Sequence, residues 1–273
     1  MKKFLLGSVA LFALSAGPAL AADMPAYKAA PYAAPSYYNW SGYYIGFNIG
    51  GQWDHVDVAF PNNGGGFLTG GGRGNFASQS NDGIFGTHLG LQYQWGAWVL
   101  GVEGGLSAGF HEMRGTTGVL PTPTFTANTF GETKVTNILT VGPKLGYAFD
   151  RWMIYGTGGY ASADLKANFC STVTGVCNNG TGAFAVGQSR NNGWFAGAGI
   201  DYMIHKGSLV DVILGAEYQH WDVEGKRAFC FNLGCTPVSG ADYDLSAHGD
   251  IFRAKLTIKY NPWASASPVY AKY

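Results

Sequence analysis

The stretch that decides the fold is residues 43–54, which read YYIGFNIGGQWD. Its odd positions hold large apolar side chains such as Ile45, Phe47 and Ile49, whereas its even positions hold small or polar residues such as Gly46 and Asn48. Successive side chains of a β-strand point to opposite faces, so this alternation predicts a strand with one apolar and one polar face. The same alternation recurs along most of the chain.

The first 21 residues, MKKFLLGSVALFALSAGPALA, have the three parts of a secretory signal peptide. Lys2 and Lys3 form the basic region, an apolar stretch follows at 4–14, and Ala19 and Ala21 are the small residues of a cleavage site. We expect cleavage after Ala21 and export to the periplasm. No later stretch holds about 18 consecutive apolar residues, which argues against a membrane protein built from helices.

Charged residues are scarce, at 12% of the chain against about 25% in ordinary globular domains. Aromatic residues reach 15%, and glycine occurs 42 times. The full chain has 17 basic and 17 acidic residues, so removal of Lys2 and Lys3 leaves 15 basic residues and a net charge of −2. We therefore expect no nucleic-acid partner.

Eight segments alternate with a period of two residues, and we predict a strand for each: 42–57, 84–95, 98–110, 135–149, 152–165, 194–203, 209–221 and 251–260. Residues 22–40 precede them, contain three prolines among many alanines, and are predicted to form a periplasmic linker outside the folded domain. Residues 261–273 form a C-terminal extension.

The apolar face is clear in seven of the segments and ambiguous in the fifth. In the fourth segment it includes Val135 and Leu139. In the fifth, both faces are apolar, but Asp164 and Lys166 share the parity of Trp152. The opposite set, Met153, Tyr155 and Leu165, is therefore predicted to be the apolar face.

The connections between the predicted strands alternate in length. Those at 96–97, 150–151 and 205–208 are tight turns, whereas those at 58–83, 115–133, 168–190 and 222–248 are long. Short turns at one end and long loops at the other are typical of outer-membrane β-barrels, whose short turns are periplasmic. We predict an all-β, eight-stranded antiparallel up-and-down transmembrane β-barrel over residues 41–260, with four long extracellular loops.

Charges and aromatics favour lipid outside the barrel. The apolar faces carry no charged residue, and the opposite faces carry nine, with many glycines that fit the inside of a narrow cylinder. Aromatic residues cluster near both strand ends, as in interfacial girdles. Toward the short turns these are Tyr43, Tyr93, Trp95, Trp98, Tyr147, Phe149, Tyr202 and Tyr260, and toward the long loops Trp53, Phe85, Phe110, Trp194, Tyr218 and Phe252.

Charged residues at similar heights on neighbouring strands predict an ion-pair network inside the barrel. Glu103 lies five residues from Trp98, and Lys144 five residues from Phe149. Residues Glu217 and Arg253 are also at matching heights on the last two strands. We predict a network of Glu103, Lys144, Glu217, Arg253 and Lys255. The alternative is a water-filled lumen in which each charge is solvated separately.

The four cysteines form two close pairs, Cys170 with Cys177 and Cys230 with Cys235. Disulfides are compatible with the oxidising periplasm, and both pairs fall in predicted long loops. Four cysteines allow three connectivities, of which we favour the two local bridges. A metal site is the alternative, but neither spacing is that of a zinc knuckle and no histidine is adjacent.

Residues 40–53, WSGYYIGFNIGGQW, resemble the start of the small alphaproteobacterial barrels of the outer-membrane immunogenic or porin family, which are similar to the transmembrane domain of outer membrane protein A. Residues 141–161, VGPKLGYAFDRWMIYGTGGYA, resemble their fourth and fifth strands, and 253–260, RAKLTIKY, their last. The resemblance implies an outer-membrane barrel and brings no catalytic residues. Family members commonly end on the aromatic residue that closes the last strand, whereas Tyr260 is followed by 261–273.

Two patterns could indicate catalysis. Residues 105–109, GLSAG, match the nucleophile-elbow pattern, but they lie within a predicted strand, without the helix that such an elbow needs. His220 and Asp222 lie near the outer rim, where they leave open a lipid-modifying enzyme. We predict no catalytic, cofactor-binding or metal-binding residues, and no enzyme activity.

The function predicted from these features is structural: a surface-exposed outer-membrane protein that supports envelope integrity and makes contacts through its long loops. A narrow porin for small solutes and a surface binder of haem or a host molecule are the alternatives. The expected partners are outer-membrane lipid and lipopolysaccharide, the barrel-insertion machinery, and a surface or host ligand.

Overall fold

The computed structural model describes residues 38–60, 74–119, 129–171, 183–231 and 236–262. The predicted signal peptide, residues 22–37 of the predicted linker and residues 263–273 of the extension lie outside this part. Both predicted disulfides also involve side chains outside the described part, so they stay predictions.

Eight β-strands account for nearly all of the described residues: β1 (Gly42–Phe60), β2 (Gly74–Trp95), β3 (Trp98–Val119), β4 (Thr129–Phe149), β5 (Trp152–Ser171), β6 (Ala183–Lys206), β7 (Val210–Phe231) and β8 (Thr236–Tyr260). Each strand pairs antiparallel with the next, and β8 pairs with β1, which closes the sheet into a barrel. The predicted eight-stranded up-and-down barrel is confirmed. Within the described residues, no helix is long and apolar enough to cross a membrane.

Two of the three tight turns lie at the predicted residues, and the third lies at 207–209 instead of 205–208, because β6 continues to Lys206. Trp95 pairs with Trp98 around Gly96, whose φ of 62° is readily adopted by a residue without a Cβ atom. Phe149 pairs with Trp152 around Asp150, which has a φ of 55°. Positive φ at these positions is typical of the two-residue hairpins whose twist matches that of the flanking strands.

The strands extend much further from the short turns than predicted. Phe60 pairs with Gly74 at the far end of β1 and β2, and Phe231 pairs with Thr236 at the far end of β7 and β8. Much of the predicted loops at 58–83, 115–133, 168–190 and 222–248 is therefore paired strand, and those predictions are wrong in extent. Beyond the lipid the outward face meets water and is polar, while inward residues such as Val56, Val58 and Leu245 are buried, so the lipid-facing pattern that predicts each strand ends there although the backbone pairing continues.

The apolar faces point away from the barrel axis, as the lipid-facing orientation requires. Phe47 is 66% exposed and Leu89 62% exposed. The nine charged residues on the opposite faces are all buried: Asp54, Glu103, Lys144, Asp201, Asp211, Glu217, Arg253, Lys255 and Lys259. Ten residues separate Tyr43 from Trp53 in the two aromatic girdles. At about 3.3 Å per residue and a tilt of about 40°, this distance matches an apolar band roughly 25 Å tall.

The predicted apolar face of β5 is wrong. Met153, Tyr155 and Leu165 are buried inside the barrel, while Trp152 and Ile154 are exposed toward lipid. Asp164 misled the assignment because it lies beyond the outer girdle, where the outward face is polar: the Arg190 side chain donates two hydrogen bonds to it, at 2.9 and 3.1 Å. The inward face of β5 is apolar because it packs against other apolar residues in the lumen.

A β-bulge corrects the assignment of one residue of β4. Val135 and Leu139 have the same parity, yet Val135 is fully buried and Leu139 is exposed. Between Val135 and Ile138 the pairing advances three residues on β4 but only two on β5, from Leu165 to Ala163. The extra residue reverses the inward and outward positions, so Val135 faces the lumen.

Leu89→Arg tests the lipid-facing orientation, because Leu89 lies midway between the girdle residues Tyr93 and Phe85 of β2. We expect it to lower the free energy of unfolding in phospholipid bilayers by about 2–4 kcal/mol, since it places a charge in hydrocarbon. Ala77→Arg, on the same outward face but beyond the girdle, is the control and should cost about 0–1 kcal/mol. The free energies of unfolding are measured by urea unfolding monitored by tryptophan fluorescence. Equal losses in Leu89→Arg and Ala77→Arg would contradict a lipid-facing Leu89.

Candidate functional site

The periplasmic end of the lumen is closed by an apolar cluster, the base plug. Its members are Tyr38, Trp40, Val99, Ala148, Met153, Tyr155, Met203 and Ile213. Trp40 is fully buried, its amide donates to Gln94 at 2.8 Å, and its carbonyl accepts from Gln92 at 2.7 Å. The linker predicted for residues 22–40 therefore does not include residues 38–40, which belong to the barrel because their aromatic side chains fill its base.

Above the base plug, charged side chains from five strands meet in the middle of the lumen. Lys255 is central: its Nζ lies 2.6 Å from Glu103 Oε1 and 2.9 Å from Glu217 Oε2. Lys144 Nζ lies 3.4 Å from Glu103 Oε2. Arg253 Nε donates to Glu217 Oε1 at 3.1 Å. The structure thus brings together all five residues of the predicted network.

The register explains how these residues meet. Glu217 pairs directly with Arg253 across β7 and β8. Glu103 is paired with Gly142, so Lys144 reaches it diagonally from the next inward position of β4. Side chains two positions apart on neighbouring strands are within reach of long residues, which accounts for the contact.

Three members of the cluster were missed by the sequence reasoning. Lys144 also contacts Asp201 Oδ2 at 3.1 Å. Tyr44 donates to Glu103 Oε2 at 2.9 Å, and Tyr155 donates to Glu217 Oε2 at 2.7 Å. Asp201 has the inward parity of β6 and could have been found by that signal. Tyr155 could not have been found in this way, because both faces of β5 are apolar and its parity predicts a lipid-facing position.

The resulting cluster, which we call the central network, is electrically balanced. It contains three carboxylates (Glu103, Asp201 and Glu217) and three cations (Lys144, Arg253 and Lys255), all at most 7% exposed. The Lys144 Nζ also lies 3.8 Å from the centre of the Tyr155 ring, within cation–π range. Buried charges are tolerated only when they are paired and hydrogen-bonded, and each charge here has a partner of opposite sign. The alternative of separately solvated charges is not what the geometry shows.

The extracellular side of the central network mixes apolar and polar side chains, and its apolar part was not expected from the predicted polar lumen face. The nearly fully buried apolar side chains there, which we call the upper layer, are Val56, Ile138, Leu165, Phe195, Trp221, Val223, Leu245 and Ile251. Gln52, Asp54 and Gln219 are buried beside them. The central network therefore lies between an apolar layer on the periplasmic side and a tightly filled layer of mixed polarity on the extracellular side.

The two patterns that could indicate catalysis have structural explanations. Ser107 of the 105–109 pattern lies within β3 and accepts a hydrogen bond from Arg253 Nη1 at 3.3 Å. His220 Nδ1 lies 2.9 Å from Asp250 Oδ1, so its carboxylate partner is Asp250 instead of Asp222. Tyr218 donates to the same Asp250 oxygen at 2.6 Å. All three rim side chains lie on the outward face of the barrel, outside the lumen.

Comparisons with known proteins agree with this architecture. The profile of the outer membrane protein beta-barrel domain matches residues 8–249. The 31 kDa outer-membrane immunogenic proteins of Brucella melitensis and Brucella suis are each 32% identical over 248 residues, which cover 83% of this chain and 89% of theirs. These relatives confirm the resemblance seen in the sequence.

Two solved structures of outer-membrane proteins are similar to this chain at low sequence identity. The outer membrane protease OmpT of Escherichia coli is 10% identical, with a TM-score of 0.46 over 80% of this chain and 97% of its own. OprG of Pseudomonas aeruginosa is 13% identical, with a TM-score of 0.43 over 81% of this chain and 97% of its own. Similarity at this level does not extend to activity.

Glu217→Gln tests whether the central network stabilises the barrel. The substitution leaves Arg253 and Lys255 buried with one carboxylate fewer, so we expect a loss of about 3–5 kcal/mol in the free energy of unfolding. The double variant Glu217→Gln with Arg253→Met restores the charge balance and should lose less than the single variant. Urea unfolding midpoints in micelles measure both, and an unchanged midpoint for Glu217→Gln would refute a stabilising network.

Proposed function

Because the chain belongs to the outer membrane protein β-barrel domain family, we propose that it is a non-conducting surface protein of the outer membrane. In this proposal the membrane-spanning part is an anchor, and the functional surface is the part of the barrel wall beyond the outer girdle together with the connections it carries. The observation that supports the proposal best is the filled lumen.

Three successive barriers occupy the path that an ion would take through the lumen. The base plug closes the periplasmic end, with Trp40 fully buried. The central network follows, and its charges are bound to one another. The upper layer then fills the lumen further with buried side chains that include Trp221 and Ile251. Eight strands enclose a space that side chains can fill, so no continuous aqueous path is needed for the fold.

The central network also opposes transient opening. A permeating ion would have to separate pairs such as Lys255 with Glu217, at 2.9 Å, within surroundings of low polarity. Breaking one buried ion pair costs several kcal/mol because it leaves uncompensated charges. Such a barrier favours an anchor over a narrow porin.

The strand extensions favour a role at the cell surface. β1 continues to Phe60, seven residues beyond Trp53, and β2 begins at Gly74, eleven residues before Phe85. At about 3.3 Å per residue, these extensions run about 23 Å along β1 and about 36 Å along β2 beyond the outer girdle. A hydrogen-bonded wall of this length would hold the outermost connections clear of the lipid headgroups, where they can meet other molecules. The proposal includes no catalysis, in keeping with the structural contacts of Ser107 and His220.

Planar-bilayer recording tests the proposal directly. We expect the refolded protein to produce no conductance steps above the bilayer baseline, because the barriers lie within the lumen. A general porin inserted under the same conditions is the positive control. Variants shortened within residues 61–73 or 232–235 should also remain closed, since the three barriers are built from residues of 38–40 and of the strands. Discrete steps from the native protein would favour the narrow porin instead.

A further inference from the structure

A transverse groove crosses the outward face of β2, β1 and β8 at the outer girdle. Ser80, Asp54 and Gly249 are paired neighbours on the three strands, and their positions face the lumen. On the outward side only their backbones are present, and these form the floor of the groove. Its volume is about 520 Å³. The membrane-side row of its wall consists of Asn81, Trp53 and Asp250, and the outer row of Gln79, His55 and His248.

The register makes this groove a regular feature of the sheet. Trp53 pairs with both Asn81 and Asp250, and His55 pairs with both Gln79 and His248. The two rows are two residues apart on each strand, which corresponds to about 6.8 Å. A slot of that width accepts a flat, ring-sized group, and its volume is in the range of small-ligand sites, about 300–1,000 Å³.

The membrane-side row combines an aromatic face with a fixed carboxylate. Trp53 is 54% exposed. Asp250 is held in place because its Oδ1 accepts from Tyr218 at 2.6 Å and lies 2.9 Å from His220 Nδ1. Both contacts use the same oxygen, so Oδ2 can accept a hydrogen bond from a ligand. An acceptor that is already oriented loses little conformational entropy on binding.

The outer row supplies further polar groups on a flat surface. The rings of His55 and His248 stack at 5.2 Å between centroids, with 18° between their planes. The amides of Gln79 and Asn81 each offer a donor and an acceptor. No lysine or arginine lines the described groove, and Asp250 is acidic. This combination suits the hydroxyls and the apolar ring face of a sugar better than a bare phosphate.

The position of the groove determines where its ligand comes from. Trp53 belongs to the outer girdle, and the outward residues below it, such as Phe252, are apolar and exposed. The groove therefore opens sideways at the level of the outer-leaflet headgroups. A molecule anchored in that leaflet is held at the right height, which raises its local concentration at the site.

We propose that this groove binds a sugar ring of the lipopolysaccharide headgroup, with the ring against Trp53 and a hydroxyl donating to Asp250. The inference rests on the outer-membrane location and does not depend on whether the lumen conducts. A soluble oligosaccharide offers the same chemistry from another source, and the experiment separates the two.

Binding is measured for the full-length refolded protein in phospholipid nanodiscs, with three probes: intact lipopolysaccharide, the soluble oligosaccharide obtained from it by removing the acyl chains, and phosphatidylglycerol. Asp250→Asn keeps the shape of the side chain and removes the charged acceptor. Glu224→Gln makes the same change on the outward face of β7, outside the groove. Asn81→Leu, which fills the membrane-side row, provides a second groove variant, and heat-modified gel migration checks that every variant is folded.

We expect Asp250→Asn to weaken lipopolysaccharide binding about tenfold, as loss of a charged hydrogen bond would, and Asn81→Leu to weaken it as well. Glu224→Gln should bind like the native protein, and phosphatidylglycerol should bind all variants alike. If the soluble oligosaccharide competes with lipopolysaccharide for the native protein but not for Asp250→Asn, the groove recognises the sugar from either source. If the oligosaccharide does not compete, the groove requires the membrane-anchored form. Lipopolysaccharide binding that is equal in the native protein, Asp250→Asn and Asn81→Leu would overturn the proposal.

Discussion

Within the hydrocarbon of a membrane, no water is present to satisfy a backbone amide or carbonyl, and this constraint shapes the whole protein. A sheet that crosses the bilayer must have no free edge, so its first and last strands must pair. Here β8 pairs with β1 from Tyr43 to Ala59, and the closed ring of eight strands satisfies the backbone along its length. Closure also determines that one face of every strand meets lipid and the other meets a narrow lumen.

The narrowness of the lumen explains its contents. Long charged residues can be accommodated only if they neutralise one another, and the central network does so with three carboxylates and three cations. The base plug and the upper layer bury it away from water, which strengthens the attraction between the charges and raises the cost of leaving one unpaired. The lumen thus resembles the core of a soluble protein with an ionic centre, and the part of the molecule that can meet ligands lies on the outward wall and beyond it. The groove beside Trp53 is such a surface.

Much of this architecture could be predicted from the chain alone, because lipid on the outside imposes a simple rule on the sequence. Seven of the eight lipid-facing patterns were assigned to the correct face, and the positions of the tight turns and both girdles followed from them.

The alternation rule failed where a second influence acted on the same residues. In β5, the inward face is apolar because Met153 and Tyr155 pack in the base plug, so both faces looked alike. In β4, a bulge reversed the parity at Val135. Beyond the outer girdle the outward face is polar and the inward face holds buried apolar residues such as Val58 and Leu245, so the lipid-facing pattern no longer marks the strands.

The central network also has a part that the sequence predicts and a part that it does not. The heights of Glu103, Lys144, Glu217, Arg253 and Lys255 above their turns could be counted in the sequence, so their meeting was predictable. The inward position of Asp201 could also be counted, but its contact with Lys144 and the roles of Tyr44 and Tyr155 could not, because they depend on how side chains from different walls meet across the lumen. By itself, then, the sequence determined the barrel, its strand number and the lipid-facing side of seven strands, since the period of two and the charge segregation are local properties of each strand. Only the tertiary structure decided which residues seal the lumen and which form the outward groove, because those contacts join strands that are far apart in the chain and brought together by closure.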